Sequence, residues 1–194
     1  MNCRFDVLVV GIGGQGTVLA SNILGEACVI EGIPVRGAET HGMAQRGGSV
    51  ESHIRIGSTF GPLIPPGSAD LIIAFDLLEG FRARYFLRED APLVTSRSLV
   101  VPTSVYARGL PVPEESGVIS ALAGTRLCIV DAAGIASRAG SPLAQNVVML
   151  GAASVYLPLS HEALIEAVRR TVPEKTRSLN EKAFEMGRDA GCNP

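Results

Sequence analysis

The sequence predicts an α/β fold of three layers, in which a mixed sheet lies between helices and opens with a Rossmann-like strand, turn and helix. Three observations carry that expectation. A short apolar run ends in a glycine-rich turn and gives way to a helical repeat, a later segment alternates apolar and polar residues, and the last third of the chain reads as helices. The 194 residues, 46% of them hydrophobic, suffice for one large core. No linker, internal repeat or low-complexity segment divides them, so the chain reads as a single domain over residues 1–194.

Taken in order, Phe5-Asp6-Val7-Leu8-Val9-Val10 is the apolar, β-branched run of a strand buried on both faces. It feeds into Gly11-Ile12-Gly13-Gly14-Gln15-Gly16. From Thr17 onward Leu19, Ile23, Ala27 and Ile30 recur at helical spacing, and Gly32 provides a left-handed stop. A second strand is expected around Ile33 to Arg36, followed by a polar, glycine-studded segment from Gly37 to Ser49 that is too poor in apolar residues to form core. Val50, Ser52, Ile54 and Ile56 then alternate with Glu51, His53 and Arg55, which predicts a strand with one buried and one polar face, more antiparallel than central parallel in character.

Gly61 to Ser68 is a loop by its prolines and glycines. Leu71 to Phe75 resumes a strand, and a helix starts near Asp76 to Glu79. Short strands are expected at Leu93-Val94, at Leu99-Val100-Val101 and at Leu127 to Val130, with a loop-rich stretch from Pro102 to Gly117 between the last two. Gln145 to Tyr156, Glu162 to Thr171 and Thr176 to Met186 read as helices, Pro173 separating the last pair.

Composition excludes several function classes. With 17 basic against 19 acidic side chains, nothing favours a nucleic-acid backbone as partner. The start, Met1 to Val10, lacks a signal-peptide pattern and points to the cytoplasm. The longest weakly polar run, Val147 to Leu159, is about 13 residues against the roughly 20 that span a bilayer, so no membrane partner is expected. Cys3, Cys28, Cys128 and Cys192 are scattered singly. They form neither a zinc knuckle nor a ferredoxin-type run, so any iron–sulfur cluster must belong to another chain.

Two segments carry chemistry. Gly11, Gly13 and Gly16 satisfy G-x-G-x-x-G between a strand and a helix, where backbone amides and the helix dipole suit a pyrophosphate. Tight packing explains the glycines equally well, but gives no reason for Gln15 between them. The acid that would hold a ribose about 20 residues on is missing, Glu31 preceding the second strand and Arg36 lying near its end. Glu39 to Ser49 gathers Glu39, Thr40, His41, Gln45, Arg46 and Ser49 among Gly42, Gly47 and Gly48. It offers too few ligands for a metal and no nucleophile pattern. His41 is either structural or a ligand contact. Arg46 suits an anion or carboxylate as well as it suits an intersubunit ion pair. Asn146 reads as a helix cap or a site residue, and Asp76 and Asp131 as caps.

The glycine turn, the run Glu39-Thr40-His41-Gly42-Met43-Ala44-Gln45-Arg46-Gly47-Gly48-Ser49-Val50, Ala69-Asp70-Leu71 with Phe75-Asp76 and Glu79, and Asn146-Val147-Val148-Met149-Leu150-Gly151-Ala152 together resemble the gamma-type subunits and domains of 2-oxoacid:ferredoxin oxidoreductases. The indolepyruvate branch resembles the chain most, in order from about residue 5 to 187. The resemblance implies one subunit of an enzyme that decarboxylates a 2-oxoacid oxidatively with coenzyme A, giving acyl-CoA, carbon dioxide and reduced ferredoxin. It also implies that thiamine diphosphate and [4Fe-4S] clusters reside in a large alpha subunit, with ferredoxin as acceptor, while this chain binds no cofactor alone and has no catalytic residue of its own. Gly13, Gly14, Gln15, Gly16 and the Glu39 to Ser49 run, including Thr40, His41, Gln45, Arg46, Gly47 and Gly48, would face the partner's active centre. The alternatives are the gamma subunit of a pyruvate or 2-oxoglutarate enzyme, a free-standing NAD(P)-binding dehydrogenase, and a nonenzymatic nucleotide-binding module.

Overall fold

The computed structural model describes residues 4–41, 48–58 and 61–192. Along the chain it forms β1 (Phe5–Ile12), α1 (Thr17–Ile30), β2 (Val35–His41), β3 (Ser49–Ile56), β4 (Leu71–Ala74), α2 (Leu77–Ala83), β5 (Pro92–Ser96), α3 (Thr103–Ala107), α4 (Glu115–Ala121), β6 (Arg126–Val130), α5 (Ala132–Ala139), α6 (Gln145–Ala153), α7 (His161–Thr171) and α8 (Arg177–Ala190). The strands make one sheet in the order β2-β3-β1-β4-β5-β6. Four of them, β1, β4, β5 and β6, run parallel, and β3 lies antiparallel to both β1 and β2.

The period of two along each strand builds the three layers. Val7, Val9, Leu71, Ile73 and Val94 face a core shared with α1 and α5 to α8. Leu8, Val10, Ile72, Ala74 and Leu93 face the other core, closed by α2 and α4. The continuous apolar run of β1 is therefore what a strand covered on both sides requires.

Helix α1 begins at Gly16, whose φ of 87° falls in the left-handed region. It ends as expected, with Gly32 at φ 67° and the Ile33 N–H donating to the Cys28 carbonyl at 2.8 Å. The second strand begins later than its sequence indicated and runs through Glu39, Thr40 and His41. Backbone pairing with β3 holds it at the sheet edge, where no apolar side chain is needed, so the polar composition concealed it.

The alternation of β3 is present, but only Glu51 of its polar face reaches solvent. His53 and Arg55 are buried beneath the Gly61 to Ser68 loop: the Ile64 N–H donates to His53 Nδ1 at 3.2 Å, and Arg55 Nη1 donates to the Gly61 carbonyl at 2.6 Å. Arg55 also meets the buried Asp6 through Nε at 3.0 Å. Two further expectations need correction. Leu99 to Val101 is not a strand, because the Val100 N–H is taken by the Asp76 side chain at 2.7 Å. The Pro102 to Gly117 stretch holds α3 and the start of α4.

Two close approaches join the closing helices. A Cβ at Gly151 of α6 would run into the Phe184 carbonyl, and one at Gly187 of α8 into the Val148 carbonyl; each bare glycine lets the other helix's backbone come close. A disulfide between Cys128 and Cys192, 64 residues apart, ties the chain beyond α8 to β6. Nothing in the scattered cysteine spacing indicated it. No helix among the described residues is long and apolar enough to cross a membrane.

Candidate functional site at the carboxyl end of the sheet

The chain leaves β1 through α1 on one face of the sheet and leaves β4 through α2 on the other. Connections that diverge from neighbouring parallel strands open a crevice beyond their carboxyl ends. Here that crevice is a cleft of ≈ 260 Å³, lined by Gly14 and Gln15 after β1, Phe75 after β4, Ser96 and Ser98 at the end of β5, Ala132 after β6, and Gln145, Asn146 and Met149 of α6 among others.

The glycine turn is closed by its own glutamine. The Ile12 N–H donates to Gln15 Oε1 at 2.7 Å, and the Gln15 N–H donates to the Ile12 carbonyl at 3.0 Å. This is the structural reason for Gln15 that the sequence did not supply, and it leaves Nε2 as the donor at the cleft. Gly14 has φ 103°. A Cβ at Gly16 would come within 2.5 Å of Asn146 Nδ2, and one at Gly11 within 2.8 Å of Gln15 Oε1. Gly13 is held differently: its N–H donates to the Gly48 carbonyl at 2.9 Å, which fastens the chain entering β3 to the turn.

Ser49 lies opposite Ile12 in the β1–β3 ladder, and its hydroxyl donates to Glu79 Oε2 at 2.6 Å. The other oxygen of this buried carboxylate accepts from Arg82 at 2.7 Å. His41 pairs with Val50, which pairs with Gly11, so backbone register puts His41 level with the turn, two strands away. Thr40 and Glu51 face each other, the Thr40 hydroxyl 3.3 Å from Glu51 Oε2. The neighbouring His53 imidazole holds the Glu51 carboxyl below its usual range; partial burial works against this, and Thr40 assists. Glu39 lines a separate groove between α1 and β2. Gln45, Arg46 and Gly47 lie outside the described residues.

Asp76 and Asp131 are caps, as their positions suggested. Asp76 Oδ1 accepts from the Leu78 and Glu79 N–H groups at 2.9 and 3.3 Å, and Asp131 accepts from Gly134 at 3.0 Å. Burial pushes the Asp76 carboxyl above its ordinary range, its three backbone donors pull it back, and Glu79 adds to the rise. Asn146 is not a cap: Ala144 holds that position on α6, while the Asn146 side chain lies against Gly16. Ser96, Ser98 and Gln145 escaped the sequence reading because only strand order brings them to the cleft.

Among the described residues no three His, Cys, Asp or Glu side chains converge on a point. Cys28 is buried and unbonded, and the other two described cysteines form the disulfide, so they make no cradle for an iron–sulfur cluster.

The sequence profile of the family described as pyruvate ferredoxin/flavodoxin oxidoreductase matches residues 6–190. The chain belongs to that family. It is a gamma-type subunit of the 2-oxoacid:ferredoxin oxidoreductases, and an oxidoreductase component by membership. Its sequence is 43% identical over 188 residues to indolepyruvate oxidoreductase subunit IorB of Archaeoglobus fulgidus, covering 95% of this chain and 94% of that one. Against IorB of Methanothermobacter thermautotrophicus the identity is 38%, covering 95% and 96%; against 2-oxoglutarate synthase subunit KorC of the same organism it falls to 24%, covering 96% and 94%. The crystal structure of the keto/oxoacid ferredoxin oxidoreductase gamma subunit of Geobacter sulfurreducens superposes with a TM-score of 0.72 at 27% identity, covering 96% of this chain and 97% of that one.

The oxidoreductase gamma-type fold also explains the unmatched dinucleotide fingerprint. In a dinucleotide-binding sheet the second strand adjoins the first and carries the ribose acid at its end. Here antiparallel β3 intervenes, which moves the end of β2 a further strand spacing, about 5 Å, from the turn. The reading as a free-standing NAD(P)-binding dehydrogenase is therefore without support.

Proposed function

We propose that the chain is the gamma-type subunit of an indolepyruvate:ferredoxin oxidoreductase, which converts an arylpyruvate and coenzyme A to an acyl-CoA and carbon dioxide while reducing ferredoxin. The observation that carries this reading is the identity of 38% to one IorB against 24% to the KorC of the same organism. It favours the indolepyruvate branch over a 2-oxoglutarate enzyme.

In this reading thiamine diphosphate and the [4Fe-4S] clusters belong to a large alpha subunit, ferredoxin accepts the electrons, and the assembly works in the cytoplasm. The 1–194 unit acts as one domain. Its own side chains bind and orient rather than exchange electrons. The carboxyl end of the sheet, with Gly13 to Gly16, Gly48, Ser49 and the end of β2, faces the partner's active centre, and Glu39, Thr40, His41, Gln45, Arg46 and Gly47 extend that face. Supporting it are the register that levels His41 with Gly11 and the ties from Gly48 and Ser49 to the turn and α2.

The test is co-expression with the large subunit and assay of the purified complex on a panel of 2-oxoacids. Arylpyruvates are expected to give kcat/KM at least tenfold above pyruvate and 2-oxoglutarate. A preference for either of the latter would move the chain to another branch of the family.

A further inference from the structure

β2 closes one side of the sheet. It pairs with β3 in unbroken register from Val35 to His41, and among the described residues nothing bonds its outer edge. Such an edge offers a row of backbone N–H and C=O groups to another strand. On the α1 face of that edge runs a groove of ≈ 590 Å³, walled by Ser21, Gly25, Glu26 and Val29 of α1 and floored by β2 and β3. It lies on the flank of the sheet, apart from the cleft beyond the carboxyl ends of the strands.

Two features of the groove have no cause among the described residues. Gly25 and Gly37 face it from α1 and β2, yet a Cβ at Gly25 would meet nothing within 4 Å and one at Gly37 only the His53 carbonyl, at 3.8 Å; neither glycine has a positive φ. Glycine inside a helix or strand weakens it, and an unforced one in a strand marks where another backbone or a ligand comes close. Ser52 is the second feature. It lies between Val9 and Glu39 in the two ladders, so its side chain shares the α1 face. It is 1% exposed, and its Oγ has no hydrogen-bond partner. A hydroxyl buried in that state is costly unless something else completes it. Glu26 and Glu39 line the groove while no lysine or arginine does, although Arg170 reaches Glu26 from α7 at 3.1 Å.

We infer that an extended segment of the large partner subunit adds to β2 as a further strand and lays a lysine or arginine side chain across Gly37 to the Ser52 hydroxyl. This contact rests on the proposed function, which supplies the partner, and deepens it. β2 runs parallel to β1 and ends level with the glycine turn, so a strand added along it continues the face assigned to the partner. That strand would lie two strand spacings, about 10 Å, from β3, a gap that an extended cationic side chain and its hydrogen bond cross. Val29, 64% exposed, and Val35 would cover the methylene stem. Glu26 and Glu39 complement the charge, and Ser52 Oγ accepts from the N–H group.

Assembly of the full chain with the large subunit is followed by titration, and amide hydrogen exchange is measured in the free chain and in the complex. The β2 amides are expected to exchange roughly tenfold or more slowly in the complex. Gly37→Val suits a strand and finds open space, and Ser52→Ala removes the unpaired hydroxyl. Each should leave the free chain's Tm unchanged or higher while raising the Kd of assembly about fivefold or more. A structural role within the chain predicts the opposite pairing, a lowered Tm with an unchanged Kd. Full-affinity assembly of either variant, or β2 exchange in the complex as fast as in the free chain, overturns the contact. So does a free chain that dimerises through β2, which would give the edge to a second copy. If Gly37→Val folds poorly, Ser52→Ala decides alone. Arylpyruvate oxidation by a complex whose β2 exchanges freely would discard the contact and keep the proposed function; a protected β2 in a complex that prefers another 2-oxoacid would do the reverse.

Discussion

Asp6 and Arg55 are both buried, and Asp6 also meets Arg4 at 2.6 Å. Removing the carboxylate leaves a desolvated guanidinium with only the Gly61 and Leu63 carbonyls. Asp6→Ala is therefore expected to cost about 3–5 kcal/mol in denaturant unfolding, and a loss below about 1 kcal/mol would mean that water reaches Arg55 freely. Strand alternation could not show this pair, because it reports only that two faces differ. What covers the polar face here is a loop from another part of the chain, contributing the buried Ile64. A second residue-scale expectation concerns Cys28, whose thiol is pushed up to about 12, mainly by burial and further by Glu31. The native chain at pH 8 should leave Cys28 unmodified by iodoacetamide over hours, whereas the chain in denaturant reacts. Rapid native labelling would show that α1 opens.

Among the elements, those whose cause is local were legible. β1, α1 and the α6 to α8 region follow from apolar runs, helical spacing and Gly32. β2 and the loop at Leu99 to Val101 were misread because their state depends on distant groups, β3 in one case and Asp76 in the other. The α6–α8 contact is equally non-local: Gly151 and Gly187 read as helix-weakening residues until the facing carbonyls are known. Gly187→Ala thus trades a better helix former for a collision with the Val148 backbone, and a net loss of about 1–3 kcal/mol is expected. An unchanged or raised Tm would show that the helices can move apart at no cost.

For the whole molecule, the family was readable from ordered motifs while the cleft was not. The motifs are contiguous strings: the glycine turn, Phe75-Asp76 and the start of α6 lie at the carboxyl end of the sheet, while Ala69-Asp70-Leu71 opens β4 at its amino end. The cleft is assembled from the ends of four strands and from α6, which sequence order scatters from Gly14 to Met149. Gln15 shows both sides of this: its unusual place was visible, but its bond to Ile12 and its place in a cleft shared with Asn146 were not. The molecule that results has two cores of its own and, among its described residues, no cluster of metal-ligating side chains.

The most direct measurement is reconstitution from separately purified chains, following indolepyruvate- and coenzyme A-dependent ferredoxin reduction. Neither chain alone is expected to exceed about 1% of the rate of the mixture, and the rate should saturate at a fixed ratio of this chain to the large subunit. Full activity of the large subunit alone, or ferredoxin reduction by this chain alone, would contradict its place as the completing gamma-type subunit.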